Sequence, residues 1–201
     1  MSKIYYELEK EILAQTTTPK KLLLHSCCAP CSSHVITHLT KYFDLTILYY
    51  NPNIFPYKEY QKRKKEQLKL IKEIPTINKI NTIDCDYENS FYEEKIKGYE
   101  TCKERGARCE ICFNIRLEKT AKLAHEKKYD YFCTTLTVSP YKNSDLINQI
   151  GEALSKKYQV NWLYSDFKKN NGYKNSIELS KKYNLYRQNY CGCIYSQKKD
   201  N

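Results

Sequence analysis

Five short apolar runs, each followed by a stretch with helical spacing, constrain this chain more than any other feature. They fall at 21–26, 45–50, 80–85, 131–135 and 160–164. Strands that alternate with helices pair in parallel through right-handed crossovers. The expected fold is therefore α/β: a doubly wound, Rossmann-like parallel sheet of about five strands with helices on both faces. Helices are expected over 32–42, 57–73, from Cys109 onward, over 144–157 and near 175–183, with a short amphipathic helix over 3–15. In the strand order 3-2-1-4-5, the C-terminal ends of strands one and four adjoin at the topological switch point, where such sheets bind ligands.

The loops at those two ends are unusual. The first reads His25-Ser26-Cys27-Cys28-Ala29-Pro30-Cys31 and the second, Thr134 to Pro140, is crowded with hydroxyls. No glycine-rich phosphate loop stands there, which argues against a dinucleotide or Walker site. Cys109-Glu110-Ile111-Cys112 opens a helix, where the dipole and spare amides stabilise thiolates. This spacing serves zinc, iron–sulfur clusters and redox disulfides alike. Cys191-Gly192-Cys193 is too tight for a relaxed disulfide and suits a pair that cycles between thiols and disulfide, or else two further metal ligands. Four thiolates complete a tetrahedral zinc or a cubane cluster, so seven in motifs point to chemistry. Cys85 and Cys133 read as packing residues; His25, His34 and His38 are expected to be held by hydrogen bonds more than by metal.

At 201 residues the chain builds a core without cross-links. Its charged N-terminus lacks the features of a signal peptide and no stretch reaches transmembrane length, so a cytoplasmic protein with no membrane association is expected. In that reducing compartment ten cysteines favour metal or redox work over stapling. One domain is expected over 1–201, with a peripheral N-terminal helix in 1–20 and a cysteine-bearing C-terminal segment, 186–201. The net charge of +11 suits a polyanion. Only five arginines occur; Arg105, Arg108 and Arg116 flank the Cys-x-x-Cys and Arg187 precedes Cys191. Arginine pairs bidentately with phosphate, so these, with the lysine-rich 57–73 helix that also carries Arg63, are candidate anion contacts.

From about residue 21 to 196 the chain resembles the QueH family of cobalamin-independent epoxyqueuosine reductases. The resemblance rests on His25 to Cys31, Tyr50-Asn51-Pro52-Asn53-Ile54, Glu104 to Cys112, Arg116-Leu117, Thr134-Thr135-Leu136, Ser139-Pro140 and Leu185 to Cys193, in that order. It implies a HUP-like fold and reduction of epoxyqueuosine in the anticodon loop of tRNA to queuosine, the last step of queuosine synthesis. By the same resemblance Cys27, Cys28, Cys109 and Cys112 would bind a [4Fe-4S] cluster. Cys31 would join an additional mononuclear iron, and Cys191 with Cys193 would be the redox-active pair. Arg105, Arg108 and Arg187 would contact tRNA, Asp166, Tyr190 or a bound water could supply protons, and an electron donor is needed that the sequence does not identify. Two other classes remain open on the residues alone: a tRNA-thiolating enzyme, which would bind ATP, and a non-catalytic zinc-stabilised RNA-binding domain.

Overall fold

The computed structural model describes residues 5–197. In chain order it contains α1 (Tyr5–Gln15), β1 (Lys20–His25), α2 (Ala29–Leu39), β2 (Phe43–Tyr49), α3 (Tyr57–Glu73), β3 (Asn81–Asp84) and α4 (Asn89–Lys95). Then come α5 (Ala107–Glu126), β4 (Tyr131–Thr134), a 3-10 turn (Thr135–Val138), α6 (Ser144–Tyr158), β5 (Asn161–Trp162) and α7 (Gly172–Lys182), and a last 3-10 turn spans Ile194–Ser196. Residues 1–4, part of the expected first helix, and 198–201 of the expected C-terminal segment lie outside the described residues.

All four strand pairs are parallel and the order is β3-β2-β1-β4-β5, the expected arrangement. The central strand shows why both faces are covered. Leu22 and Leu24 pack with Val35, Ile36, Leu39 and Leu70 of α2 and α3. Leu23, pointing the other way, packs with Leu117, Ala121, Phe132 and Ile147 below α5 and α6. A strand buried on both faces needs an unbroken apolar run, and Leu22-Leu23-Leu24, each fully buried, supplies it.

Helix starts differ from expectation in informative ways. α2 begins at Ala29, three residues early, because Pro30 sits in the first turn, where its missing N–H costs nothing. Cys31 is thus on a helix, and only Cys27 and Cys28 stay in the loop. α7 begins at Gly172, where an added Cβ would lie 1.8 Å from the Phe167 carbonyl oxygen and 2.7 Å from His34 Nε2, so only glycine fits at this start of the helix. α6 is capped by the Asn143 side chain, which accepts from the amides of Asp145 and Leu146 at 3.0 and 3.2 Å. α4 falls within 87–106, where no element was expected.

Candidate active site

At the switch point His25 pairs in register with Leu48 on one side and Thr134 on the other. Its Nδ1 lies 2.8 Å from Thr134 Oγ1, and its Nε2 3.1 Å from the Tyr50 carbonyl. Arg116 Nε lies 3.3 Å from the same Nε2. Burial, then the charge of Arg116, lowers the pKa of His25 to about 3, so it is a neutral structural pin between three strand ends. His34 and His38 face a different cavity. None of the three belongs to a metal-ligating group among the described residues.

Behind the thiol loop runs a buried polar network. Ser26 and Ser32 hydroxyls meet at 2.5 Å and both reach Gln67 Oε1, at 2.6 and 2.9 Å; Ser32 Oγ also lies 2.9 Å from the Cys28 carbonyl. Asn51 Nδ2 donates to the Ser26 carbonyl, and the Cys27 amide donates to Thr135 Oγ1 at 3.1 Å. The network fixes the backbone of Cys27 and Cys28 from both flanking loops. The sulfurs of Cys27, Cys28 and Cys31 consequently lie within 4.8 Å of one another. Hydrogen bonds from Cys27 and Cys31 hold Cys28 well below the usual thiol range, while contacts with Cys27 and Cys28 push Cys31 up, so the surroundings favour a thiolate at Cys28 over one at Cys31.

Cys109 and Cys112 occupy the first turns of α5, as expected, but stand outside that trio. Cys109 Sγ accepts the Arg105 amide at 3.2 Å, and Cys112 Sγ faces Arg116 Nη1 at 3.8 Å. Cys191 reaches the same space from the C-terminal segment. Its sulfur lies 3.2 Å from Lys142 Nζ. Burial alone would raise its pKa, but Lys142 and Arg116 override that and lower it. Cys193 takes a different environment, buried with Tyr92, Ile96 and Cys112, its sulfur 3.4 Å from the Tyr92 hydroxyl. All ten cysteines are free thiols. Cys27, Cys28, Cys31 and Cys191 line one cavity of about 470 Å³, together with Lys142, Arg116 and Tyr190. That volume suits a nucleoside-sized ligand.

The C-terminal segment is strapped down by Arg63. This side chain is buried, its Nη1 donating to the Cys191 carbonyl at 3.0 Å and its Nη2 to that of Tyr190 at 3.4 Å, while Nε pairs with Glu59 at 2.6 Å. The Phe55 amide donates to the Gly192 carbonyl at 2.9 Å. Gly192 has φ +116°, and a Cβ there would meet Ile54 and Arg63 at 2.9 and 3.0 Å. Glycine between the two cysteines is thus required by conformation and by space.

Several expected contacts are corrected. Arg108 is buried and donates to the carbonyls of Tyr99, Glu100 and Cys102 at 3.2, 2.8 and 2.6 Å, so it ties down the 99–102 loop and has no surface to offer phosphate. Arg63 likewise leaves the basic helix face. Asp166 pairs with Lys168 and lines the second cavity with Glu9 and His38, away from the thiols, whereas Tyr190 does face them. Arg105 and Arg187 remain exposed, and Arg187 lines the thiol cavity. Sequence reasoning missed Lys142, one lysine among many, and the buried role of Arg116. The only signal for Arg116 was its place one turn after the Cys-x-x-Cys.

Known proteins are similar to this chain in sequence and in fold. The family model "Epoxyqueuosine reductase QueH" matches residues 22–199. Among curated relatives, the epoxyqueuosine reductase QueH of Staphylococcus epidermidis is 45% identical over 183 residues, covering 89% of this chain and 77% of that protein. That of Streptococcus pyogenes is 43% identical over 179 residues (88% and 70%), and that of Thermotoga maritima 35% identical over 175 residues (87% and 89%). A solved structure described as a predicted subunit of tRNA methyltransferase from Methanocaldococcus jannaschii shares the fold. Its TM-score is 0.51 and its identity 15%, over 82% of this chain and 74% of that one. On sequence match along most of its length, the chain belongs to the epoxyqueuosine reductase QueH family.

Proposed function

We propose that this protein reduces epoxyqueuosine in tRNA to queuosine. The observation that carries the reading is the convergence of Cys27, Cys28, Cys31 and Cys191 on one nucleoside-sized cavity in a chain of this family. Loss of the epoxide oxygen as water, leaving an alkene, takes two electrons and two protons. Oxidation of a dithiol to a disulfide releases that number of each, so Cys191 and Cys193 can balance one turnover before an external donor restores them.

The residues present fit an iron–sulfur group. The sulfurs of Cys27, Cys28 and Cys31 lie within 4.8 Å of one another, Cys109 and Cys112 stand outside that trio at the start of α5, and two cations, Arg116 and Lys142, offset the charge of several thiolates. Cys27, Cys28, Cys109 and Cys112 would hold a [4Fe-4S] cluster and Cys31 an additional iron; bound there, these groups supply electrons one at a time. The chain's own parts have separate tasks. Lys142 favours the thiolate of Cys191 at the cavity, while Cys193 waits in an apolar pocket, and formation of the disulfide requires the 191–193 turn to rearrange. Tyr190 lines the cavity with its hydroxyl donating to the Phe55 carbonyl at 2.8 Å, and in this reading it passes a proton once that bond is released. Arg105 and Arg187, with the lysines of α3, contact tRNA phosphates. Among the described residues no helix is long and apolar enough to cross a membrane, and a cytoplasmic location accords with a tRNA substrate.

The test is metal and acid-labile sulfide analysis of protein purified without oxygen, followed by mass spectrometry of nucleosides from epoxyqueuosine-bearing tRNA after incubation with dithionite. Iron with sulfide, a spectrum bleached by dithionite, and conversion to queuosine are expected. Zinc without sulfide would overturn the cluster; loaded, reduced protein that leaves the epoxide intact would overturn the activity.

A further inference from the structure

The loop Ser139–Asn143 forms one lip of the thiol cavity, and its middle residue is an exposed aromatic. Tyr141 is 64% exposed, among the most exposed large hydrophobic side chains of the described residues, and lines the cavity beside Lys142. A lone exposed aromatic is ordinary. This one, however, is held rigidly. Its amide donates to Ser139 Oγ at 3.3 Å, its carbonyl accepts from Arg105 Nε at 3.0 Å, and the next residue is anchored through Lys142 Nζ to Cys191. The backbone is fixed while the ring is left to solvent.

Arg105 adds an independent observation. It has φ +74°, a left-handed conformation that non-glycine residues adopt at some cost. In that conformation its amide points to Cys109 Sγ while its side chain reaches the Tyr141 carbonyl. The guanidinium carbon then sits 5.9 Å from the Tyr141 ring centroid, and only Nε is used in holding the loop. Among the described residues its terminal nitrogens make no hydrogen bond, which leaves them for a phosphate. A fixed exposed ring beside an arginine, at the rim of a nucleoside-sized cavity, is the arrangement by which proteins hold splayed single-stranded RNA: base on ring, phosphate on cation.

We infer that Tyr141 is a stacking platform for a base of the anticodon loop that flanks the nucleotide entering the thiol cavity, with Arg105 holding the adjoining phosphate. The inference rests on the proposed tRNA substrate and adds the residue that positions it. Stacking on an aromatic tolerates any base, so Tyr141 contributes affinity and placement of the loop more than discrimination between sequences.

The experiment measures binding of a fluorescent RNA hairpin containing the anticodon loop, and of a blunt RNA duplex of equal length, to metal-loaded wild type, Tyr141→Ala and Tyr141→Phe, by anisotropy at fixed salt. Stacking on one aromatic corresponds to a loss of about 5- to 150-fold in hairpin affinity for Tyr141→Ala. Tyr141→Phe keeps the ring and should stay within about twofold of wild type, and duplex binding should be equal in all three. Because the ring is exposed, equal melting temperatures check that each variant is folded. Hairpin affinity unchanged in Tyr141→Ala, or reduced as much in Tyr141→Phe, would overturn the stacking role and leave the tRNA reading standing. Failure of wild type to bind the hairpin any better than the duplex would overturn the tRNA reading itself, and the inference with it.

Discussion

Arg63→Met should free the C-terminal cysteines while leaving the sheet intact. Arg63 is buried and makes two hydrogen bonds to carbonyls of the segment, at 3.0 and 3.4 Å, with its guanidinium 4.9 Å from the Tyr190 ring centroid. A hydrogen bond from a charged donor contributes about 1.5–3 kcal/mol, and the longer bond belongs at the low end, so the strap contributes about 3 kcal/mol. Opening of the segment should therefore become roughly 150-fold more frequent, at 1.4 kcal/mol per factor of ten. The readout is the rate at which Cys193, 7% exposed, reacts with a thiol reagent, since a buried thiol reacts through its open state. Cys133, fully buried in β4, serves as the internal control. The strap predicts faster labelling of Cys193 with Cys133 unchanged. If both rates rise together, Arg63 supports the whole fold; if neither rises, the segment is held by other contacts. Either result refutes the reasoning.

Cys109→Ser should abolish acid-labile sulfide and turnover together, whereas Cys31→Ser should retain the sulfide and lose part of the iron; equal loss in both would place Cys31 in the cluster. Gly151→Ala would bring a Cβ to 2.3 Å from the Trp162 ring. Overpacking costs about 1–3 kcal/mol against about 1 kcal/mol gained in helix propensity, so the melting temperature should fall by a few degrees, and a rise would show that Trp162 has room to move. Burial lowers the pKa of His34 to about 4, with His38 adding to it. The unfolded chain thus binds the extra proton first, and stability present above about pH 6.5 is lost as pH falls toward 4. His34→Asn removes this dependence, so the melting-temperature gap between wild type and variant should narrow from pH 7 to pH 4; Glu9, common to both, cancels in the comparison.

The sheet was legible because a central parallel strand demands an uninterrupted apolar run, which Leu22-Leu23-Leu24 and Leu45 to Tyr50 display without ambiguity. Parallel pairing followed from that alternation, and the common order 3-2-1-4-5, once assumed, placed Cys27 and Cys28 beside the Thr134 loop. Local backbone detail was less accessible. α4 lacks a clear periodicity of its own and is only seven residues long, with Tyr92 its one buried residue. Charged residues were the least legible, since a guanidinium reads the same in sequence whether it meets phosphate or a buried carbonyl. Arg63 had one clue, Glu59 four residues earlier on the same helix face. Arg108 had none, because the carbonyls it satisfies belong to a loop whose path no periodicity records.

The thiols come from three distant stretches, and what unites them is the removal of negative charge from water. Several thiolates brought together in a partly dry site repel one another and resist ionisation, so convergence needs cations that do not leave. Arg116 meets that requirement from α5: Nη2 bonds Asn51 Oδ1 at 2.5 Å, Nε lies 3.3 Å from His25 Nε2, and Nη1 faces Cys112. Asn51 in turn holds the Ser26 carbonyl, so the same arginine that neutralises the sulfurs also fixes the loop that carries them. Lys142 does the corresponding work from the opposite lip, where it joins the Tyr141 loop to Cys191. Loss of either cation should therefore disturb position and charge at once, which separates them from the surface lysines whose removal changes only long-range attraction for RNA.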